Sequence, residues 1–185
     1  TEVGTAAAFI TATGGTITTV CTNFKVHTFT GPGTFCVSCA GNSKGSDKVS
    51  YLVVAGGGEA GSTSPSNGGG GGGAGGFREA KNPDGGYTAS PIASTTGLAV
   101  TGAIPITVGG GGAQQPNPSN NMGNAGSSSI FSTITSAGGG GGKYDGSANP
   151  AAQSGGSGGG GAASAGPAAP TRNPGGSGNT PPVSP

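Results

Sequence analysis

The chain has 185 residues, of which 45 are Gly and 14 are Pro, and its formal net charge is +1. This length suits one domain or two small ones. The near-zero charge provides no basic footprint for nucleic acid and lacks the high net charge typical of disorder. No apolar run approaches the roughly 20 residues of a membrane span, so we expect neither a nucleic-acid partner nor membrane insertion. Because the chain begins at Thr1 and ends within a polar segment, we expect a fragment or processed product of a longer protein.

Residues 1–55 predict β structure. Two β-branched runs, 9–13 and 16–20, flank Gly14-Gly15, a pair typical of a two-residue hairpin loop because glycine tolerates positive φ. Residues 51–55 are apolar enough to form a central strand. Further strands are predicted over Phe24–Phe29 and Thr34–Cys39.

Beyond this region, apolar β-branched runs lead directly into glycine blocks. The three instances are 49–55 before Gly56–Gly58, 104–108 before Gly109–Gly112, and 130–137 before Gly138–Gly142. A flexible linker would not need the strands, and an ordinary β-sandwich would not need the glycine blocks. We therefore interpret the glycine blocks as packed elements of the fold.

The glycine blocks keep no Gly-X-Y register, which excludes collagen, but the left-handed polyglycine II helix remains open to them. Such a helix has no internal hydrogen bonds, so its buried N–H and C=O groups must find partners in neighbouring segments. The sequence thus predicts a mainly β protein with an N-terminal antiparallel β region over 1–55. A glycine-rich body of packed polyglycine II helices and short strands follows over 56–161, and a Gly/Pro/Ser-rich extended tail over 162–185.

The order of three motifs resembles the glycine-rich domain of bacteriophage tail-fibre and other virion appendage proteins, with marine cyanophage examples. The motifs are TFTGPGTF at 28–35, YLVVAGGG at 51–58 and ITVGGGG at 106–112. The resemblance implies a virion or extracellular location, a homotrimeric assembly, other virion proteins as partners, and loops that contact a host surface glycan or receptor. The CVSC segment at 36–39 departs from the polar, cysteine-free residues expected there.

The chain has three cysteines, Cys21, Cys36 and Cys39. Cys36 and Cys39 have the C-x2-C spacing of zinc ligands, so a metal site is one interpretation. With His27 the three cysteines would make a Cys3His set. However, residues three apart on a strand point to opposite faces, so we expect no metal. A disulfide from Cys21 to Cys36 or Cys39 and burial as small hydrophobic side chains are the two remaining interpretations.

No nucleophile, base and orienting group stand at a spacing that indicates catalysis, so we expect no enzyme and no cofactor. Tyr87 and Tyr144 lie in polar loops beside glycine runs. Exposed loop tyrosines suit glycan or receptor contact, and they suit equally the capping of glycine helices. We expect the acidic residues, Glu59 among them, to be solvated side chains in loops.

The function expected from these observations is a non-enzymatic virion structural module of a tail fibre or capsid-attached fibre. The alternative is a glycine-rich bacterial cell-surface or extracellular filament or matrix protein. A disordered spacer within a larger adhesin is a further alternative.

Overall fold

The computed structural model describes residues 4–62, 68–81, 93–94, 96–115, 121–144, 151–162 and 174–178. In these ranges there are eleven strands and no helix. The strands are β1 (Ile10–Thr13), β2 (Thr16–Val20), β3 (Phe24–Thr28), β4 (Gly33–Ala40), β5 (Lys48–Val49), β6 (Tyr51–Val54), β7 (Phe77–Ala80), β8 (Leu98–Ala99), β9 (Gly102–Thr107), β10 (Ser129–Phe131) and β11 (Ile134–Ser136). All pairs between these strands are antiparallel. The prediction of a mainly β, antiparallel fold is confirmed.

The hydrophobic core lies on a five-stranded sheet with the strand order β1-β4-β9-β10-β11. Phe35 of β4 and Ile104 of β9 lie directly opposite each other and are buried together with Val100. The ring of Phe131 meets that of Phe35 edge-on, at a centroid distance of 6.0 Å. Since β1 and β4 come from the N-terminal region and the other three strands from beyond residue 55, this sheet joins the two predicted regions.

The hairpin predicted across Gly14-Gly15 is wrong. Both glycines have positive φ, 110° and 63°, as expected, but β1 pairs with β4, and β2 pairs with β3. The reason is packing: Ile10 and Ala12 of β1 lie against the core cluster, whereas every residue of β2 is exposed. The glycine pair carries the chain from one sheet to the other, close to the carbonyl groups of Thr28 and Thr34.

Two other apolar runs, 51–55 and 130–137, form shorter or more peripheral strands than predicted. The expected central strand at 51–55 becomes β6, which pairs with β7 in a two-stranded sheet. Its alternate residues Leu52 and Val54 are exposed, while Val53 is buried. The run 130–137 is interrupted at Ser132, whose φ is 55°, so it folds back as the β10–β11 hairpin.

Seven glycine-containing segments, named g1 to g7, extend from or join the strands in the described ranges. They are g1 (55–62), g2 (68–76), g3 (108–115), g4 (121–128), g5 (137–143), g6 (151–161) and g7 (174–178). β6 leads into g1 and β9 into g3, whereas g4 leads into β10. The predicted coupling of strands to glycine blocks therefore holds in three dimensions.

Main-chain hydrogen bonds between these segments repeat at every third residue. Ala55, Gly58 and Gly61 of g1 donate to carbonyl groups of g2, at 2.8 to 3.0 Å. The next N–H of each triplet, at Gly56, Glu59 and Ser62, donates to g4. A β-strand repeats every two residues, so g1 is not a strand: its N–H groups face g2 and g4 at a three-residue repeat, and its carbonyl groups accept from g3 and g5.

The same spacing continues through the fifth segment. Gly70, Gly73 and Gly76 of g2 donate to carbonyl groups of g5, and Gly123 and Gly126 of g4 also donate to g5. In turn, g5 donates to g1 and to g6. The segment g5 therefore lies inside the array, and the glycine blocks have the main-chain neighbours that the packing hypothesis requires.

Part of the predicted tail joins this array. The carbonyl of Pro174 accepts the N–H of Ala152, and the N–H of Gly176 donates to Gly159, at 3.2 and 2.8 Å. Segment g7 thus packs beside g6 within the chain.

Candidate functional site

A two-stranded arm, β2–β3, stands beside the core. Its large apolar residues Val20, Phe24 and Val26 are each about 45 % exposed. The base of the arm is held by His27, whose Nδ1 donates to the carbonyl of Gly14 at 2.8 Å and whose ring meets Phe35 edge-on at 5.0 Å. His27 therefore has a structural role in anchoring the arm.

The three cysteines are free and exposed. Neither interpretation from the sequence, a disulfide or burial as small hydrophobic side chains, describes them in this structure. The cause is their placement: Cys21 lies in the turn at the tip of the arm, with φ of 48°, and Cys36 follows the buried Phe35 on the opposite face of β4. In the described ranges, no group of three or more His, Cys, Asp or Glu residues could hold a metal ion.

Of the two tyrosines predicted to contact a surface, Tyr87 lies outside the described residues. Tyr144 is half-buried and follows Lys143, which is fully buried at the end of g5. Tyr144 therefore lies beside the array, at the end of g5.

Glu59 has a role that its reading as a solvated loop residue missed. Its Oε1 accepts the N–H of Gln115 at 2.7 Å, and its Oε2 accepts the N–H of Asn124 at 2.9 Å. Its own main-chain N–H donates to the Asn124 carbonyl. One carboxylate thus ties g1 to both g3 and g4. One feature of the sequence could have indicated this role: Glu59 is a lone charged residue inside a block of Gly and Ala, where a side chain needs a specific partner.

Glu59 also lines an open cleft of about 320 Å³. The other lining residues are Ala60, Gly61, Ser62, Gln114, Gln115 and Asn121. Because g1 and g3 run away from their strands and g4 runs back toward β10, the cleft lies at the end of these segments remote from the strands. It is an open recess at one end of the glycine array, lined by the polar side chains of Glu59, Ser62, Gln114, Gln115 and Asn121 and by apolar main-chain and Ala atoms.

The side chains around the cleft are fixed by one another. The Gln115 side-chain amide donates to Asn124 Oδ1 at 3.1 Å, and the Asn124 amide donates to the carbonyl of Ala113 at 2.6 Å. Ser62 Oγ donates to the carbonyl of Asn121 and accepts the N–H of the same residue. These bonds fix Ser62 against Asn121 and Gln115 against Asn124 without any ligand.

The junction between the sheets and the array contains a partly buried tyrosine. Tyr51 of β6 meets Phe131 at a ring distance of 6.1 Å. Burial raises the pKa of its phenol above the ordinary value, and the nearby positive charge of Arg78 opposes this shift in part. The neutral phenol is therefore the form suited to this position.

Along the described part of the chain, no helix is long and apolar enough to cross a membrane. A family model described as a glycine-rich domain matches residues 29–181, more than four fifths of the chain. The chain belongs to this glycine-rich domain family. The match begins just after the arm, so β1 and the arm lie before it and β4 is the first strand within it. Comparisons with curated proteins and with solved structures give no match.

Proposed function

We propose that this protein is a non-enzymatic structural module of a virion appendage, a phage tail fibre or capsid-attached fibre that presents loops to a host surface. The observation that carries the proposal is the three-residue repeat of hydrogen bonds among g1, g2, g4 and g5. It supports a body of packed polyglycine II helices, since that helix has three residues per turn and must satisfy its peptide groups in neighbouring segments.

Such a body suits a particle exposed to the environment. Its stability comes from peptide groups bonded across distant parts of the chain, so no single loop opening releases the array. A display module needs a fixed interior of this kind.

The exposed apolar surfaces support self-association within the proposed fibre, and the resemblance to fibre proteins implies a homotrimer. Leu52, Val54 and Phe77 lie on the outer face of β6–β7 and are 46 to 60 % exposed. The arm carries a second apolar surface. Side chains of this kind are commonly covered by a partner. Sedimentation of the purified chain tests this proposal: a trimer supports it, and a stable monomer at micromolar concentration contradicts it.

Location is tested by mass spectrometry and antibody labelling of purified phage particles. We expect peptides of this chain in the particles and label on an appendage. Peptides found instead in the surface or matrix fraction of uninfected bacteria would contradict the virion assignment and favour the bacterial surface protein.

A further inference from the structure

The cleft beside Glu59 has the features of a small-molecule site. Its volume of about 320 Å³ falls at the lower end of the range for such sites, roughly 300 to 1,000 Å³. That is room for a ligand of about one or two sugar rings. The cleft lies at the end of the array where three segments meet, so a ligand there would touch g1, g3 and g4 together.

The chemistry of the lining selects among ligand classes. A carboxylate oxygen has two lone pairs, and each Glu59 oxygen uses one for a main-chain N–H, which leaves acceptor capacity for hydroxyl donors. Carboxamide side chains, present at Gln114, Gln115 and Asn121, offer both donors and acceptors. Vicinal hydroxyl groups, each both donor and acceptor, match this set.

Other classes match it poorly. A phosphate or sulfate would meet the negative charge of Glu59, and none of the described residues that line the cleft is basic. An apolar ligand would remove the carboxylate and amides from water without replacing their hydrogen bonds, which is costly. An ammonium group could pair with Glu59 but would leave the carboxamide groups without a role.

The fixed geometry favours binding. Three of the lining side chains, Glu59, Ser62 and Gln115, are already held by hydrogen bonds within the array, so binding leaves only the others to be immobilised, which limits the entropy loss. We propose that this cleft binds carbohydrate through the hydroxyl groups of one or two sugar units. The identification of the carbohydrate as a host surface glycan rests on the proposed display function, whereas the binding itself does not.

Binding is tested with the full chain on an array of defined oligosaccharides from bacterial lipopolysaccharide and capsule, followed by calorimetry with each saccharide that binds. The two sets of oligosaccharides distinguish the two sources of the same chemistry. We expect at least one saccharide to bind. A chain that binds none up to millimolar concentration overturns the proposal.

Three variants locate the site. Gln114→Ala removes an exposed side chain, and we expect it to weaken binding about fivefold, the effect of one neutral hydrogen bond. Glu59→Gln replaces an acceptor by a donor and should abolish detectable binding. The control Ser127→Ala changes an exposed side chain on g4 outside the cleft and should bind like the unaltered chain.

If Gln114→Ala and Glu59→Gln both bind the saccharide as tightly as the unaltered chain does, the assignment is overturned. It is also overturned if a Lys-rich peptide displaces the saccharide and binds more tightly. If Glu59→Gln fails to fold, Gln114→Ala and the amide chemical shifts of Ser62 and Asn121 on titration with the saccharide decide the matter. Shifts confined to residues outside the cleft contradict it. A chain that binds saccharide but is missing from virions would leave this site assigned while the proposed function fails.

Discussion

The five-stranded sheet and the glycine array are stabilised in opposite ways. In the sheet, large side chains such as Phe35 and Ile104 fill the space between strands. In g5, the space beside each glycine is filled by the carbonyl groups of neighbouring segments. The sheet therefore loses stability when a side chain is removed, and the array loses stability when one is added.

Within the array, the demand for glycine depends on position. A Cβ at any residue from Gly138 to Gly142 would overlap a main-chain oxygen of another segment. At Gly68 and Gly71 of g2 a Cβ would meet nothing within 4 Å. Ala74 continues that same side three residues later and is exposed. Two of the three sides of g2 are thus enclosed, and the third is open.

The two largest effects are expected from Gly140→Ala in the array and Phe35→Ala in the sheet. The methyl group added by Gly140→Ala would overlap the carbonyl of Gln153, and neither backbone can move without breaking hydrogen bonds of g5. We expect a loss of about 3 kcal/mol or more in the free energy of unfolding, at the upper end of overpacking effects. Denaturant unfolding followed by circular dichroism measures it.

The matched control is Gly71→Ala, on the open side of g2. It should change the free energy of unfolding by no more than about 0.5 kcal/mol. If both variants unfold at the same denaturant concentration, the distinction between enclosed and open glycines is wrong. Rapid hydrogen exchange at Gly140 in the unaltered chain would equally contradict a packed array.

In the five-stranded sheet, the corresponding loss in the free energy of unfolding is expected from Phe35→Ala. Phe35 is 6 % exposed and contacts His27 and Phe131, so its truncation leaves a cavity and should cost about 3–5 kcal/mol. Phe24→Ala on the exposed arm is the control and should cost far less in the monomer. A comparable cost for both would mean that the arm is covered, and sedimentation would then identify the assembly.

The sequence is sufficient to predict what depends on neighbouring residues. The strands around Phe24–Thr28 and Gly33–Ala40 follow from β-branched and aromatic runs, and the glycine blocks after β6, β9 and β11 follow from composition. A three-residue repeat was also predicted, because the polyglycine II helix has three residues per turn.

The pairing of strands that are distant in sequence could not be predicted from local sequence patterns. Gly14-Gly15 has the conformation of a hairpin loop, yet the partner of β1 is decided by the burial of Ile10 against a strand more than twenty residues away. The cleft was missed for the same reason. Glu59 meets Gln115 and Asn124 across separations of 56 and 65 residues, and nothing near Glu59 in sequence indicates those partners.

A smaller effect should appear at the border of the two regions. Ser136 ends β11, is fully buried, and has a hydroxyl oxygen with no hydrogen-bond partner in the described structure. Replacing it by Ala removes an unsatisfied polar atom without adding volume, so Ser136→Ala should raise the free energy of unfolding by about 1 kcal/mol. A decrease measured by thermal unfolding would show that the hydroxyl is bonded, for example through water.

The smallest effect concerns Tyr51, also at this border. Because burial raises the pKa of its phenol in the folded chain, the folded state favours the neutral form relative to the unfolded state. The resulting stability is fully present below the ordinary tyrosine pKa of about 10 and is lost as the pH rises through the higher folded value. Tyr51→Phe cannot ionise, so its stability should fall less steeply above pH 10, and Tyr144→Phe serves as the comparison. Ultraviolet titration and unfolding at a series of alkaline pH values measure both quantities; a Tyr51 phenol that titrates with the unfolded chain would show that β6 is open to water at its contact with Phe131.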